Sequence, residues 1–368
     1  MEFNQECILL QNELRKFARE VILDKAEELD KTCNFALDNI KKLSELGILG
    51  GVIPENFGGA ALDTTGLAIT LEEISKVCAS TALIIATHNA LFAYPILKFG
   101  SDELKKKYLP GAASGGIIGG FAEMSTNEIT INEVQGDYLL TGKNSLVLNS
   151  EANGPFVTIL VTDKDSQNAS AFLFDMNHPG IRRSKKSKTI GMHAAGIGEI
   201  IFENCSIQPT DLIGTKGNGF RMLEEIQDLT KICFAAIGLG IAQAATEAAI
   251  KYAKERIQFN EAIIKFGMVR EKIAEMTTQI EAARLLIYEA ASKRDCNKDF
   301  RREAAMAKYF SSRAAVEITT SAIQIYGGYG YMKDYPVERY FRDAQVINVL
   351  CSTPSQEKEN IVRHTIPD

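Results

Sequence analysis

The spacing of apolar residues changes twice along the 368-residue chain, and this most limits what it folds into. Residues 1–114 show helical spacing, and residues 115–217 contain short β-prone runs separated by Gly, Asn and Asp. Residues 218–368 return to helical spacing, with a seam that steps by four and three: Val269, Ile273, Met276, Ile280, Ala283 and Ile287. The pattern predicts an α+β protein with an N-terminal helical domain, a small antiparallel β domain and a C-terminal bundle of long helices.

Composition excludes several classes of protein. A formal charge of −6 argues against nucleic acid or an anionic membrane as the main partner. Charges are expected to interrupt each apolar stretch before it spans a bilayer, and the N-terminus MEFNQECILL lacks signal-peptide features. The seven cysteines form no C-x-x-C pair and the four histidines are well separated. We therefore expect no metal site, no disulfide framework and a cytoplasmic location.

Six segments carry a resemblance to a known family. They are IPENFGGAALD, FGSDELKKKYLPGAASG, IGMHAAGIGEIIFENCSIQPTDLIGTKGNGF, RIQF, AMAKYFSSRAA and QIYGGYGYMKDYPVERYFRDA. In this order they resemble the acyl-CoA dehydrogenase family along nearly the whole chain. The resemblance implies the same three-part fold with a C-terminal four-helix bundle, an FAD cofactor and an oligomer, typically a tetramer.

The cofactor prediction rests on two of these segments. Glycines permit close backbone approach to a phosphate or ribose, and an arginine offers a forked donor to pyrophosphate. The resemblance implies that the adenosine side of FAD is bound across a subunit interface by Arg256, Gln258, Phe259, Gln324, Gly327 and Gly328. The alternative is a tight helix–helix turn and a surface ion pair. The double glycine lacks the strand–turn–helix context of a nicotinamide site.

The residues that would carry the chemistry depart from the family pattern. The family oxidises acyl-CoA thioesters to enoyl thioesters, with a Glu as the base and flavin as the hydride acceptor. A gap-free register from Arg342-Asp343-Ala344 places Cys351 at that Glu and Thr353 at a flavin-site Thr. The second place where relatives carry the Glu is occupied by Thr230. Both positions of the base therefore lack a carboxylate.

Further departures lie around the expected flavin ring. Leu148 replaces a hydroxyl that donates toward flavin N5, and the loop containing Glu123 is shorter than in the family. Glu123 is either the loop's substrate-site Glu or only a polar neighbour. Lys231 occupies the place of a family Arg near the substrate, or is a solvated helix charge.

Cys351 precedes a helix start in which Thr353 is the N-cap, Pro354 the first helical residue and Gln356 the partner in a capping box. A thiol there serves as a base or nucleophile, or it is only a small hydrophobe. Substitute bases are Asp228, Glu224 and Glu225. Glu357 and Glu359, on the following helix, are expected to face water.

Three functions remain. The first is an FAD-dependent oxidoreductase that acts on an acyl thioester, carried by CoA or an acyl carrier protein, and passes electrons to electron-transfer flavoprotein or oxygen. The second is a non-catalytic subunit that completes the FAD site of a partner homologue. The third is a flavin monooxygenase or oxidase on the same fold.

Overall fold

The computed structural model describes residues 4–122, 129–134, 137–163 and 168–366. Its N-terminal part is helical, and side-chain caps set several helix starts: Asn4, Asp63 and Ser101 each accept a hydrogen bond from a backbone N–H three residues on. The helices are α1 Gln5–Phe17, α2 Leu23–Thr32, α3 Leu37–Glu45, α4 Thr64–Ser75, α5 Ala79–Ala86, α6 Tyr94–Phe99 and α7 Asp102–Ala113. Wider π-helical turns connect α1 to α2 and α5 to α6.

Eight strands follow in one sheet. They are β1 Gly120–Ala122, β2 Ile129–Val134, β3 Asp137–Leu148, β4 Phe156–Asp163, β5 Asn168–Phe174, β6 Ile181–Lys186, β7 Gly198–Ile207 and β8 Leu212–Ile213. The order is β6-β7-β3-β1-β4-β5-β8, with β2 paired to β3. All pairs are antiparallel except β1 with β4. The parallel pair arises because β1, entering from the helical part, lies between β3 and β4.

The C-terminal part contains the helix bundle. Its elements are α8 Gly219–Glu255, the short strands β9 Ile257–Gln258 and β10 Glu261–Ala262, and the helices α9 Gly267–Asp295, α10 Arg301–Tyr326, α11 Val337–Val349 and α12 Pro354–Thr365. The predicted seam lies on α9, where Met276, Ile280, Ala283 and Ile287 are buried. One apolar core joins both helical parts, and a second lies within the sheet. The predicted fold class is confirmed.

Two helical stretches differ from the expectation that charges interrupt every apolar run. Ala79–Phe99 and Gly219–Glu255 are long and apolar enough to cross a membrane by length and composition. In their most apolar windows 78% and 89% of the residues are buried inside the protein, as expected for core helices.

The Arg-Asp-Ala segment ties the three parts together. Arg342 donates to both carboxylate oxygens of Asp30 on α2, at 3.0 and 2.6 Å, and it also binds Glu338. Asp343 accepts the backbone N–H of Met192 at 2.6 Å from the loop before β7. Burial raises the pKa of Asp343 to about 6. These contacts fix the end of α11, which leads directly into Cys351.

Candidate functional site

A cavity of about 290 Å³ lies where α11 ends and α12 begins. Apolar side chains from α8, β1, β3 and the π-helical turn before α6 form most of its wall. The described residues that line it are Leu91, Phe121, Leu148, Leu223, Gln227, Phe234, Val349, Leu350, Cys351, Ser352, Thr353 and Gln356. The cavity thus brings together three predicted site residues, Cys351, Thr353 and Leu148.

The helix start beside Cys351 holds it in a defined place. Thr353 Oγ1 accepts the N–H of Gln356 at 3.3 Å, and Gln356 Oε1 accepts the N–H of Thr353 at 2.8 Å. The predicted capping box is therefore present, with Pro354 at the first helical position. Cys351 has a φ of +70°, in the left-handed region that non-glycine residues rarely adopt. The half-buried thiol sits at a sharp turn between two helices.

The second base position contributes nothing to this cavity. Thr230 is fully buried, and its hydroxyl donates to the Ile226 carbonyl at 2.8 Å within α8. Lys231 is also buried, 2.8 Å from the carboxylate of Asp228. Burial raises the pKa of Asp228 despite that partner. Lys231 is therefore neither a solvated charge nor a lining residue of the cavity.

No substitute carboxylate lines the cavity among the residues that the structure describes. Glu224 is well exposed and 3.9 Å from Arg363, whereas Glu225 binds Lys98 and Tyr94. Glu123 lies outside the described residues. Within the described wall, Cys351 is the one ionisable side chain.

A second, open cleft of about 540 Å³ lies at the other end of α8. Arg256, Gln258, Gly327 and Gly328 line it together with aromatic side chains, and the Arg256 guanidinium lies 5.4 Å from the ring centre of Tyr329. Of the other predicted adenosine residues, Gln324 is exposed at the end of α10, and its carbonyl accepts the Gly327 N–H. Phe259 is 89% exposed.

The two glycines fit a nucleotide. A Cβ at either position would meet no atom within 4 Å, so each glycine leaves open space above the backbone. Gly327 also has a φ of +59° with a ψ of −134°, which side chains disfavour. With the Arg256 donor beside them, these residues suit the ribose and phosphate part of FAD, and the apolar cavity suits its flat ring system.

The two halves of this site are far apart within one chain. The cavity residues on α8 run from Leu223 to Phe234, and Tyr252 of the cleft lies 18 to 29 residues further along the same helix, which corresponds to about 27–43 Å.

Sequence reasoning missed two charged residues near Cys351. Glu357, expected to face water, is 1% exposed, whereas Glu359 is exposed as predicted. Lys308, within the segment AMAKYFSSRAA, is also 1% exposed. Their burial has no periodic signal, because it depends on how α12 packs on α10.

Comparison with known proteins identifies the family of the chain. Profiles of the acyl-CoA dehydrogenase N-terminal and C-terminal domains match residues 4–116 and 217–351. An acyl-CoA dehydrogenase of Bacillus subtilis (strain 168) is 38% identical over 363 residues, covering 96% of both chains.

Solved structures agree as well. The butyryl-CoA dehydrogenase of Megasphaera elsdenii superimposes with a TM-score of 0.95 at 30% identity over 100% of both chains. A prolyl acyl carrier protein oxidase gives a TM-score of 0.94 at 27% identity, covering 99% of this chain and 100% of that one. The chain therefore belongs to the acyl-CoA dehydrogenase family, and its cofactor is FAD.

Proposed function

We propose that this protein is an FAD-dependent oxidoreductase that dehydrogenates an acyl thioester between its α and β carbons, with Cys351 as the proton acceptor. The observation that supports this most is the position of Cys351, the one ionisable side chain on the described wall of the apolar cavity. FAD supplies the two-electron acceptor. Cys351 Sγ takes the α-proton and becomes a neutral thiol.

The chemistry suits a thiolate. An ordinary Cys titrates about four pH units above a Glu, so a thiolate is the stronger base once it is formed. The apolar wall excludes water and strengthens electrostatic interactions within the cavity. We further infer that the backbone N–H of Cys351 donates to the thioester carbonyl oxygen, which would stabilise negative charge at the α-carbon.

The cavity favours a short acyl group. Leu91, Phe121 and Phe234 enclose a small volume that both the flavin ring and the acyl chain occupy. The Megasphaera relative is named for butyryl-CoA, and another relative for a carrier-bound prolyl group. We infer a short acyl group on CoA or on an acyl carrier protein. Electron-transfer flavoprotein or oxygen then reoxidises the flavin, and the seven thiols suit a reducing cytoplasm.

The separation of cavity and cleft supports an oligomer. We infer that each FAD places its ring in the cavity of one subunit and its adenosine in the cleft of another, as in a tetramer. The exposed Phe259 and the open glycines then face a neighbouring chain.

The test is anaerobic reduction of the FAD-loaded protein by a panel of acyl-CoA and acyl carrier thioesters, followed by flavin absorbance. We expect at least one short thioester to bleach the flavin. Cys351→Ala is expected to slow bleaching by about 10²–10⁴-fold, the usual cost of losing a positioned base. Cys351→Glu restores the family's carboxylate and is expected to retain rapid bleaching.

Two results count against the proposal. A replete flavin that no thioester reduces would reject the dehydrogenase activity. Reduction of Cys351→Ala at the wild-type rate would leave the activity standing and reject Cys351 as the base.

A second candidate is a non-catalytic subunit that completes the FAD site of a homologous partner. The described cavity wall has no carboxylate, whereas the cleft at the other end of α8 has residues suited to adenosine, and this combination favours the second candidate. Full FAD occupancy and turnover by the purified chain alone would exclude this candidate.

A further inference from the structure

Two oppositely charged side chains lie buried on helices that pack around the turn containing Cys351. Lys308 extends from α10 and Glu357 from the first turn of α12, and each is 1% exposed. The Lys308 ammonium donates to the Ile347 carbonyl at 2.6 Å, at the end of α11. Charged groups are rarely buried in this way unless other charges compensate them.

Lys308 is coupled electrostatically to both neighbours. Burial lowers the pKa of Lys308 to about 8, and the negative charges of Cys351 and Glu357 act in the opposite direction. The interaction between two charges is mutual, so an ammonium at Lys308 favours a negative charge at Cys351. At neutral pH Lys308 is mostly protonated.

A second observation marks this region as a polar interior. Three oxygens around the α11–α12 junction are buried without a hydrogen-bond partner in the described structure: Asn348 Oδ1, Ser352 Oγ and Glu357 Oε1. The other carboxylate oxygen of Glu357 accepts only a long bond, 3.4 Å, from Asn360. Unpaired buried oxygens are costly, so three of them at one helix junction call for a functional or structural reason.

The other ionisable groups that pack around the cluster on the neighbouring helices are either neutral or already paired. On α8, burial raises the pKa of Cys233 to about 12, so it stays a neutral thiol, and Asp228 is paired with Lys231. On α9, Arg294 donates to Thr64 Oγ1 at 2.8 Å and stacks on two aromatic rings. Ile347 of α11 contributes only its carbonyl. Lys308 is therefore the cation on the described structure best placed to act on Cys351.

We propose that Lys308 is a positioning residue that holds Cys351 as a thiolate facing the cavity, and that Glu357 limits this effect by neutralising part of the lysine's charge. The thiol proton passes to water as the thiolate forms. This inference deepens the proposed function, on which its catalytic meaning rests, because the thiolate is the form of Cys351 that accepts the α-proton.

The test measures thiol reactivity and needs no turnover. FAD-loaded protein is alkylated with iodoacetamide between pH 6 and 10, and the rate at Cys351 is followed by peptide mass spectrometry. The exposed Cys296 serves as an internal reference. Lys308→Met is expected to lower the rate at Cys351 about tenfold at pH 7, which corresponds to one pH unit in thiol ionisation. Glu357→Gln is expected to raise it severalfold.

The expected pH dependence has a definite sign. The ammonium of Lys308 is present below about pH 8 and lost above it. The difference in alkylation rate at Cys351 between wild type and Lys308→Met should therefore be largest below pH 8 and become small above it. Lys298→Met, which removes an exposed lysine two residues after the reference thiol in sequence, should leave the alkylation rate at Cys351 unchanged.

If Lys308 served only to cap the end of α11, the two variants would give a different result. Both buried-site variants would then change reactivity in the same direction, through loosened packing, or not at all, and either result overturns the inference. If Lys308→Met does not fold, Glu357→Gln alone decides, because an unchanged or lowered rate at Cys351 contradicts it. The alkylation measurement does not depend on turnover, so it still tests this inference if no thioester reduces the flavin.

Discussion

At the scale of single residues, His88 shows how a buried side chain joins the helical part to the sheet. Its Nδ1 accepts the N–H of Gly119 at 3.0 Å, and its Nε2 lies 3.2 Å from the Ala112 carbonyl oxygen. These partners require the neutral ring with the proton on Nε2. Burial accordingly lowers the pKa of His88 to about 4.

This environment predicts acid sensitivity. The unfolded chain binds a proton at His88 below about pH 6.5, whereas the folded protein does so only near pH 4. The stability from the neutral ring is present above pH 6.5 and is lost as pH falls toward 4, by up to about 3 kcal/mol. In His88→Gln, the side-chain amide supplies one N–H donor and one carbonyl acceptor in place of the two ring nitrogens. The amide does not titrate in this pH range. Denaturant unfolding at pH 7 and 4.5 should show a smaller acid loss in this variant, and an equal loss would contradict the prediction.

Single residues also show what the sequence predicts and what it does not. A gap-free register was enough to place Cys351 and Thr353 together, because both belong to one short segment. Leu148, which the family resemblance assigned to the surroundings of the flavin ring, lines the same cavity. The burial of Glu357 was predicted wrongly, because QEKEN has no apolar period and only the packing of α12 on α10 removes that side chain from water.

At the scale of elements, the capping box of α12 was readable from sequence and offers a direct test. Thr353→Ala removes the acceptor for the Gln356 N–H and should lower the free energy of unfolding by about 1 kcal/mol. Thr353→Ser retains the hydroxyl and should lose much less. Ser355→Ala, on an exposed position of the same turn, is the control. Denaturant unfolding of the three variants checks this, and equal losses in all three would argue against the cap.

Other elements also differ in whether the sequence alone predicts their contacts. The seam on α9 was predictable because a long helix repeats one contact pattern over about five turns, from Val269 to Ile287, so each apolar residue supports the same assignment. The parallel pairing of β1 with β4 was not, because β1 has only three residues and its neighbours are set by chain topology. Short elements take their partners from the rest of the fold.

At the scale of the whole molecule, the long helix α8 separates the cavity from the cleft. It carries cavity residues near its start and cleft residues near its end, about 27 Å or more apart. We therefore infer that one FAD takes its cavity and its cleft from different chains, in which case an isologous pair of subunits provides two such sites.

Mixing two defective variants tests this arrangement. Gly328→Trp fills the adenosine cleft without a clash at its Cβ, and Leu148→Trp obstructs the ring cavity. Each variant alone is expected to purify without FAD. Co-expressed with different tags, they should form mixed assemblies in which an intact cavity of one chain meets an intact cleft of the other, so that about a quarter of all sites hold FAD. A site built within one chain predicts no recovery, even when both tags co-purify. A wild-type chain that takes up FAD only beside a homologous companion would instead favour the non-catalytic subunit.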